Sequence, residues 1–171
     1  FVLDDEYRFT PREAGGPVTM CLLGMVPHSK RFDRALDLLA ALGREGVDAR
    51  LHVKGQRPEQ LAYMFAANRM DEMAWYAAQL ERMDGDPLLR DRVRFDDWGN
   101  DVAQWYGGID HILSPSDHES FHYAIADGVL SGCHPVVWHW EDAGIVYPQD
   151  WCVEDTQQAL GRIMQFLSLI H

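Results

Sequence analysis

Apolar residues along the chain fall into two kinds of stretch that alternate. Val18 to Leu23 is an unbroken apolar run ending at Gly24, the pattern of a strand buried on both faces of a parallel sheet. After a polar loop, Pro27 to Lys30, the residues Phe32, Leu36, Leu39, Ala40 and Leu42 recur at helical spacing until Gly43. Leu51 to Val53 is a second short strand that stops at Lys54-Gly55. Pro58 then stands where a helix can begin, because its missing N–H has no partner there in any case. From Glu59 to about Met83 there is no Gly or Pro, and Leu61, Met64, Phe65, Met73, Tyr76, Leu80 and Met83 are spaced by three, four or their multiples. That spacing predicts one long helix with a Met and aromatic stripe turned to the core. Asp84-Gly85-Asp86-Pro87 ends it and reads as a turn, not as a carboxylate pair for a metal.

The second half repeats the alternation. Val93 to Phe95 reads as a third strand, Val102 to Tyr106 as a short helix and Ile109 to Leu113 as a fourth strand. A Ser-Pro-Ser-Asp turn leads to a predicted helix with Glu119 in its first turn and Asp127 two turns on, stopped by Gly132 before a fifth strand, Pro135 to Trp138. Trp140 to Trp151 is loop-rich, and Thr156 to about Ile170 closes the chain as an amphipathic helix. The alternation predicts an α/β fold, a Rossmann-like doubly wound parallel sheet. Residues 1–17 carry mixed charge, Pro and a Gly pair and read as a linker or incoming segment; residues 18–171 form the domain. In such sheets, strand ends and helix starts face one ligand crevice, and the stretch from Ile109 to Val137 has that arrangement.

Composition narrows the function. A chain of 171 residues that is 47% hydrophobic can bury one core, so one domain is expected. A formal net charge of -12 argues against nucleic acid or an anionic membrane as partner, since phosphate neutralisation needs clustered Lys and Arg. Three widely spaced cysteines, Cys21, Cys133 and Cys152, read as reduced thiols. No apolar run approaches a membrane span, and the first residue, Phe1, suggests a piece of a longer protein. Cys133-His134 is a sequence-adjacent thiol and imidazole, an arrangement that seldom makes a catalytic dyad.

Glu119 admits several roles. Ser116-x-x-Glu119 fits a helix capping box, which is structural only. His118-Glu119-Ser120-Phe121-His122 is a literal H-E-x-x-H with Glu141 downstream, the pattern of a zinc metallopeptidase. Its context weighs against that use, because the motif follows Pro115 at a strand-to-helix turn and Glu141 lies beyond a buried strand.

A third role comes from the motif PS-x-x-E-S-F-x-x-x-x-x-D-G-x-x-S-G-x-x-P-V-V, spanning Pro115 to Val137. It resembles the Glu-x7-Glu region of retaining GT-B glycosyltransferases of the family four type. Leu22-Leu23-Gly24 followed by Lys30-Arg31-Phe32-Asp33-Arg34-Ala35-Leu36 is similar to the same family's phosphate loop, and Leu51-His52-Val53-Lys54-Gly55 to its short L-x-I-x-G strand. The resemblance runs from about Val18 to the last helix. It implies the C-terminal, nucleotide-sugar-binding half of a GT-B fold, with the N-terminal acceptor domain outside this chain. It further implies transfer of a hexosyl or related sugar from a nucleotide diphosphate sugar, with retention of configuration, to an acceptor glycan, lipid or small molecule, as in polysaccharide biosynthesis. A noncatalytic nucleotide-sugar binding module is the alternative. No cofactor and no tightly bound metal are expected, and the location implied is cytoplasmic, peripheral at a membrane in the full-length enzyme.

The same resemblance assigns roles. Glu119 and Lys30 are the catalytic candidates, Glu119 on sugar hydroxyls and Lys30 on the diphosphate. Gly24, Lys30, Arg31, Asp127 and the backbone N–H groups of Ser120, Phe121 and His122 are the donor-binding candidates, with Asp127 on the ribose. Asp127 replaces the family's second Glu, Met25 stands where a phosphate-binding Arg is usual, and Ser120 and His122 replace glycines. Trp98 follows the third strand near the expected base, and Trp138, His139, Trp140 and Trp151 either wall the sugar site or cover the sheet end.

Overall fold

The computed structural model describes residues 7–9 and 15–170. Strand β1, Val18–Leu23, sends Val18, Met20 and Leu22 into one hydrophobic cluster and Cys21 into another, which is why it is apolar apart from Thr19, whose hydroxyl donates to Gly108 O at 2.8 Å. It pairs in parallel with β2 (Ala49–Lys54) on one side and β4 (His111–Ser114) on the other. Beyond β2 lies β3 (Val93–Asp96); beyond β4 lie β5 (His134–Trp138) and β6 (Cys152–Val153). The order is β3-β2-β1-β4-β5-β6, all parallel, so the predicted doubly wound sheet forms, with a sixth strand that sequence reading missed. Two residues are too short to carry a period.

Helices α1 (Phe32–Arg44), α2 (Met70–Gly85) and α6 (Thr156–Ile170) lie with the first cluster, in which Phe32, Leu36, Leu39 and Ala40 are buried as their spacing predicts. The second cluster lies under α3 (Val102–Trp105), α4 (Tyr123–Leu130) and α5 (Ala143–Val146). Tyr7 of the incoming segment packs against Tyr106, ring centroids 6.2 Å apart; residues 1–6 and 10–14 of that segment lie outside the described residues.

The expected helix from Glu59 to Met83 is only half there. Pro58–Gln60, Ala62–Phe65 and Ala67–Arg69 are separate 3-10 turns, with Leu61 and Ala66 extended between them, and α2 begins at Met70. The amides of Leu61, Met64, Ala66 and Arg69 each reach the carbonyl three residues back, so the backbone is satisfied without an α-helix. This path drives Met64 into the core while Phe65 is 65% exposed. Burial of Met64 has overridden the local helix preference.

Helix α4 lies so close to β4 that a Cβ added at Gly128 would stand 3.0 Å from Ile112 Cβ. Gly128→Val should therefore lower the unfolding free energy by about 2 kcal/mol, read as a lower urea midpoint, because overpacking displaces the helix from the strand.

Candidate functional site

The chain winds one way from β1 through β2 to β3 and the other way from β4 onward, so the loops after β1 and β4 flank the point where the order reverses. Open α/β sheets form ligand crevices at that point. Here the two loops are stitched together. Asp117 N–H donates to Ser29 O at 2.9 Å, and Arg34 donates to Pro115 O at 2.7 Å and pairs with Asp117 at 3.0 Å. Arg31 holds Asp33 through two hydrogen bonds of 2.9 and 2.8 Å and Asp117 through a third of 2.9 Å. These bonds hold Arg31 at φ 54, a conformation unusual for a residue with a Cβ, and Asp33 foremost raises its pKa. From behind, Tyr76 donates to Met25 O at 2.7 Å and Glu72 accepts His28 N–H at 2.8 Å.

Within this frame Lys30 pairs with Glu119. The same carboxylate oxygen accepts Ser116 Oγ at 2.7 Å and lies 3.9 Å from His122 Nδ1, which is 3.1 Å from Ser114 Oγ. Burial alone would raise the Glu119 pKa, but the hydrogen bonds from Lys30 and the Ser116 hydroxyl and the positive charge of Lys30 hold the carboxyl below its ordinary range. Burial lowers His122 to about 4, Glu119 opposing and Lys30 assisting, so the imidazole is neutral near pH 7. The cluster thus offers an anion-binding ammonium, a hydroxyl-binding carboxylate and an uncharged imidazole side by side.

Glu119 is not in the first turn of a helix, because α4 begins four residues later at Tyr123. The backbone before it is committed elsewhere: Asp117 N–H goes to Ser29 O, and His122 N–H, expected to face the ligand, donates to Tyr147 Oη at 3.0 Å. Ser120 and Phe121 lie exposed on this loop. Ser116 and Glu119 bond to each other instead of forming the capping box. The H-E-x-x-H residues do not share a helix face: His118 packs edge-on against Trp140, centroids 5.3 Å apart, while His122 turns to Ser114. Among the described residues no group of three or more His, Cys, Asp and Glu could hold a metal ion. Arg31, expected on the diphosphate, is taken up by Asp33 and Asp117. Asp127 stands half-buried one turn into α4, where its charge joins burial in raising the Tyr106 pKa. Tyr147 gave no signal in sequence, being an aromatic in a loop-rich stretch.

Beside this cluster, at the ends of β1 to β3, a cleft of roughly 490 Å³ is lined by Gly24, Val26, Gly55, Gln56, Tyr63 and Trp98, among others. Gly24 (φ 79) and Gly55 (φ 134) both line it, and a Cβ on Gly55 would lie 3.4 Å from Gly24 Cα. Gly24 N–H donates to Lys54 O at 2.8 Å, and Gly55 N–H to Asp96 O at 3.0 Å. Trp98 stands in the wall, while Trp138 and Trp140 are buried.

The described residues form an α/β, Rossmann-like parallel sheet that matches glycosyltransferase domains in fold. No family model matches the chain, and a search of curated proteins gives no match. Among solved structures, TarM superposes with a TM-score of 0.69 at 11% identity over 95% of this chain and 30% of its own. Anabaena HepE in complex with UDP-glucose gives 0.68 at 16% identity, over 88% of this chain and 39% of that one. The C-terminal domain of LpcC, a glycosyl transferase group 1 family protein from Francisella tularensis, gives 0.65 at 16% identity, over 95% and 85%. At these identities the likeness is one of fold. The chain spans about a third of the length of TarM and somewhat more of HepE, but most of the isolated LpcC domain.

Proposed function

We propose that this chain is the donor-binding domain of a retaining glycosyltransferase of the family four type, which takes a sugar from a nucleotide diphosphate sugar. The observation that carries this reading is the Lys30–Glu119 pair at the point where strand order reverses. The neighbour solved with UDP-glucose lends it support through the shared fold. A bound donor takes over both halves of the pair: diphosphate oxygens replace Glu119 at Lys30, and sugar hydroxyls replace Lys30 at Glu119. Lys30 then stabilises the charge that develops on the leaving diphosphate. The cleft between Gly24, Gly55 and Trp98 takes the nucleoside, with Asp127 on the ribose. A further domain supplies the acceptor, so the isolated chain binds donor and transfers nothing.

Ligand-observed NMR with UDP-, GDP- and ADP-sugars tests this. One of the three should show saturation transfer from the native chain, and Glu119→Gln should abolish the sugar-proton signals while keeping those of the base. Absence of binding by all three nucleotides overturns the reading.

A further inference from the structure

Lys54 ends β2 with its side chain only 2% exposed, and the partners of its ammonium lie on the stretch that follows β3. It donates to Asp97 O at 3.0 Å, pairs with Asp101 Oδ1 at 2.9 Å and lies 5.7 Å from the centroid of the Trp105 ring. Burying an ammonium forfeits much of its hydration, and an apolar side chain of the same volume would fill the space without that loss. Asp101 is 58% exposed and is stable in water without the lysine. The arrangement is therefore poorly explained as a source of stability.

Its geometric effect is on the loop between Asp97 and Asp101. Asp101 folds back over Gly99 so closely that a Cβ there would stand 2.8 Å from the carboxylate oxygen. At the start of this stretch Trp105 Nε1 donates to Asp96 Oδ2 at 2.9 Å, so the loop is held at both ends. Its outward residue is Trp98, 63% exposed and lining the same cleft as Gly24 and Gly55. A cleft lined by two closely approaching glycines and an exposed indole suits a planar heteroaromatic ring. The Lys54 backbone serves the same cleft, since its carbonyl accepts Gly24 N–H.

We propose that Lys54 is a positioning residue that fixes the Trp98 wall for the face of a nucleobase. The proposal rests on the donor-binding reading and names a residue that determines how firmly the base is held.

The test compares the native chain with Lys54→Met and Trp98→Ala. UDP, GDP, ADP and inorganic pyrophosphate are titrated by calorimetry, with amide hydrogen exchange across residues 97–101 and urea unfolding alongside. Lys54→Met should keep or raise the unfolding midpoint, speed exchange across the loop and lower affinity for the bound nucleotide about tenfold, the scale of one base–aromatic stack. Affinity for pyrophosphate should be unchanged, and Trp98→Ala should reproduce the nucleotide loss. Three outcomes overturn the proposal alone: unchanged loop exchange, pyrophosphate and nucleotide affinities that fall together, or a nucleotide loss that comes with a lower unfolding midpoint. Failure of all three nucleotides to bind the native chain overturns it together with the donor-binding reading.

Discussion

Lys30→Met should weaken binding of the preferred nucleotide sugar about hundredfold, and turnover of the complete enzyme should fall by a similar or larger factor. Methionine keeps the length of the side chain and removes the charge. In the unliganded protein the loss is tempered, because Ser116 Oγ still donates to Glu119. In the proposed donor complex, two phosphate groups would face the site without that ammonium, and the neighbouring arginine cannot take its place while Asp33 and Asp117 hold it. Arg31→Met should accordingly show the opposite pattern, a larger loss of stability and a smaller loss of affinity. Calorimetric titration with parallel urea melts separates the two. Equal affinity losses for the two variants would contradict the assignment of Lys30 as the diphosphate ligand.

Acid should unfold this chain earlier than its carboxylates alone would suggest. His122 titrates near 4 in the folded protein against an ordinary 6.5, so between those values the unfolded chain binds a proton that the folded chain refuses. Stability from this source is complete above about pH 6.5 and is lost as pH falls to 4, by about 3 kcal/mol in total. His52, lowered by burial and by Arg94, acts in the same direction. Glu119, Asp33 and Glu72, whose pKa values are depressed in the fold, add a further loss at lower pH as each is protonated. His122→Gln keeps a polar group against Ser114 and cannot titrate, so its unfolding midpoint should be flatter from pH 6.5 to 4. A native-like slope in that variant would mean that His122 is not the group that refuses the proton.

How much of this could be read from sequence depended on how local the cause was. β1 and α1 are legible because both faces of the strand and one face of the helix are buried, and burial leaves a period or an unbroken run. The stretch from Pro58 to Arg69 misled because nothing in its residues forbids a helix; what breaks it is the space that Met64 fills, a property of the assembled core. The start of α4 was misplaced for a related reason. Ser29, Lys30 and Tyr147, distant in sequence, take the backbone and side chains that would otherwise have begun a helix at Glu119. That Glu119 and Lys30 share one site was implied only by motif resemblance, and their ion pair had no signal in sequence. The retention of Arg31 by Asp33 and Asp117 had no signal that spacing could carry.

The outermost strands have a bearing on how this domain behaves in concentrated solution. β6 offers a ladder only two residues long, and β3 ends in an Arg94–Asp96 ion pair on the rim of the sheet. A foreign strand would find little backbone to zip onto at one border and fixed charge at the other, the features by which sheet proteins resist stacking edge to edge into fibrils. Self-association by added strands is thus discouraged on both flanks, and the domain can leave the loops after β1 and β4 open without inviting aggregation along its sides.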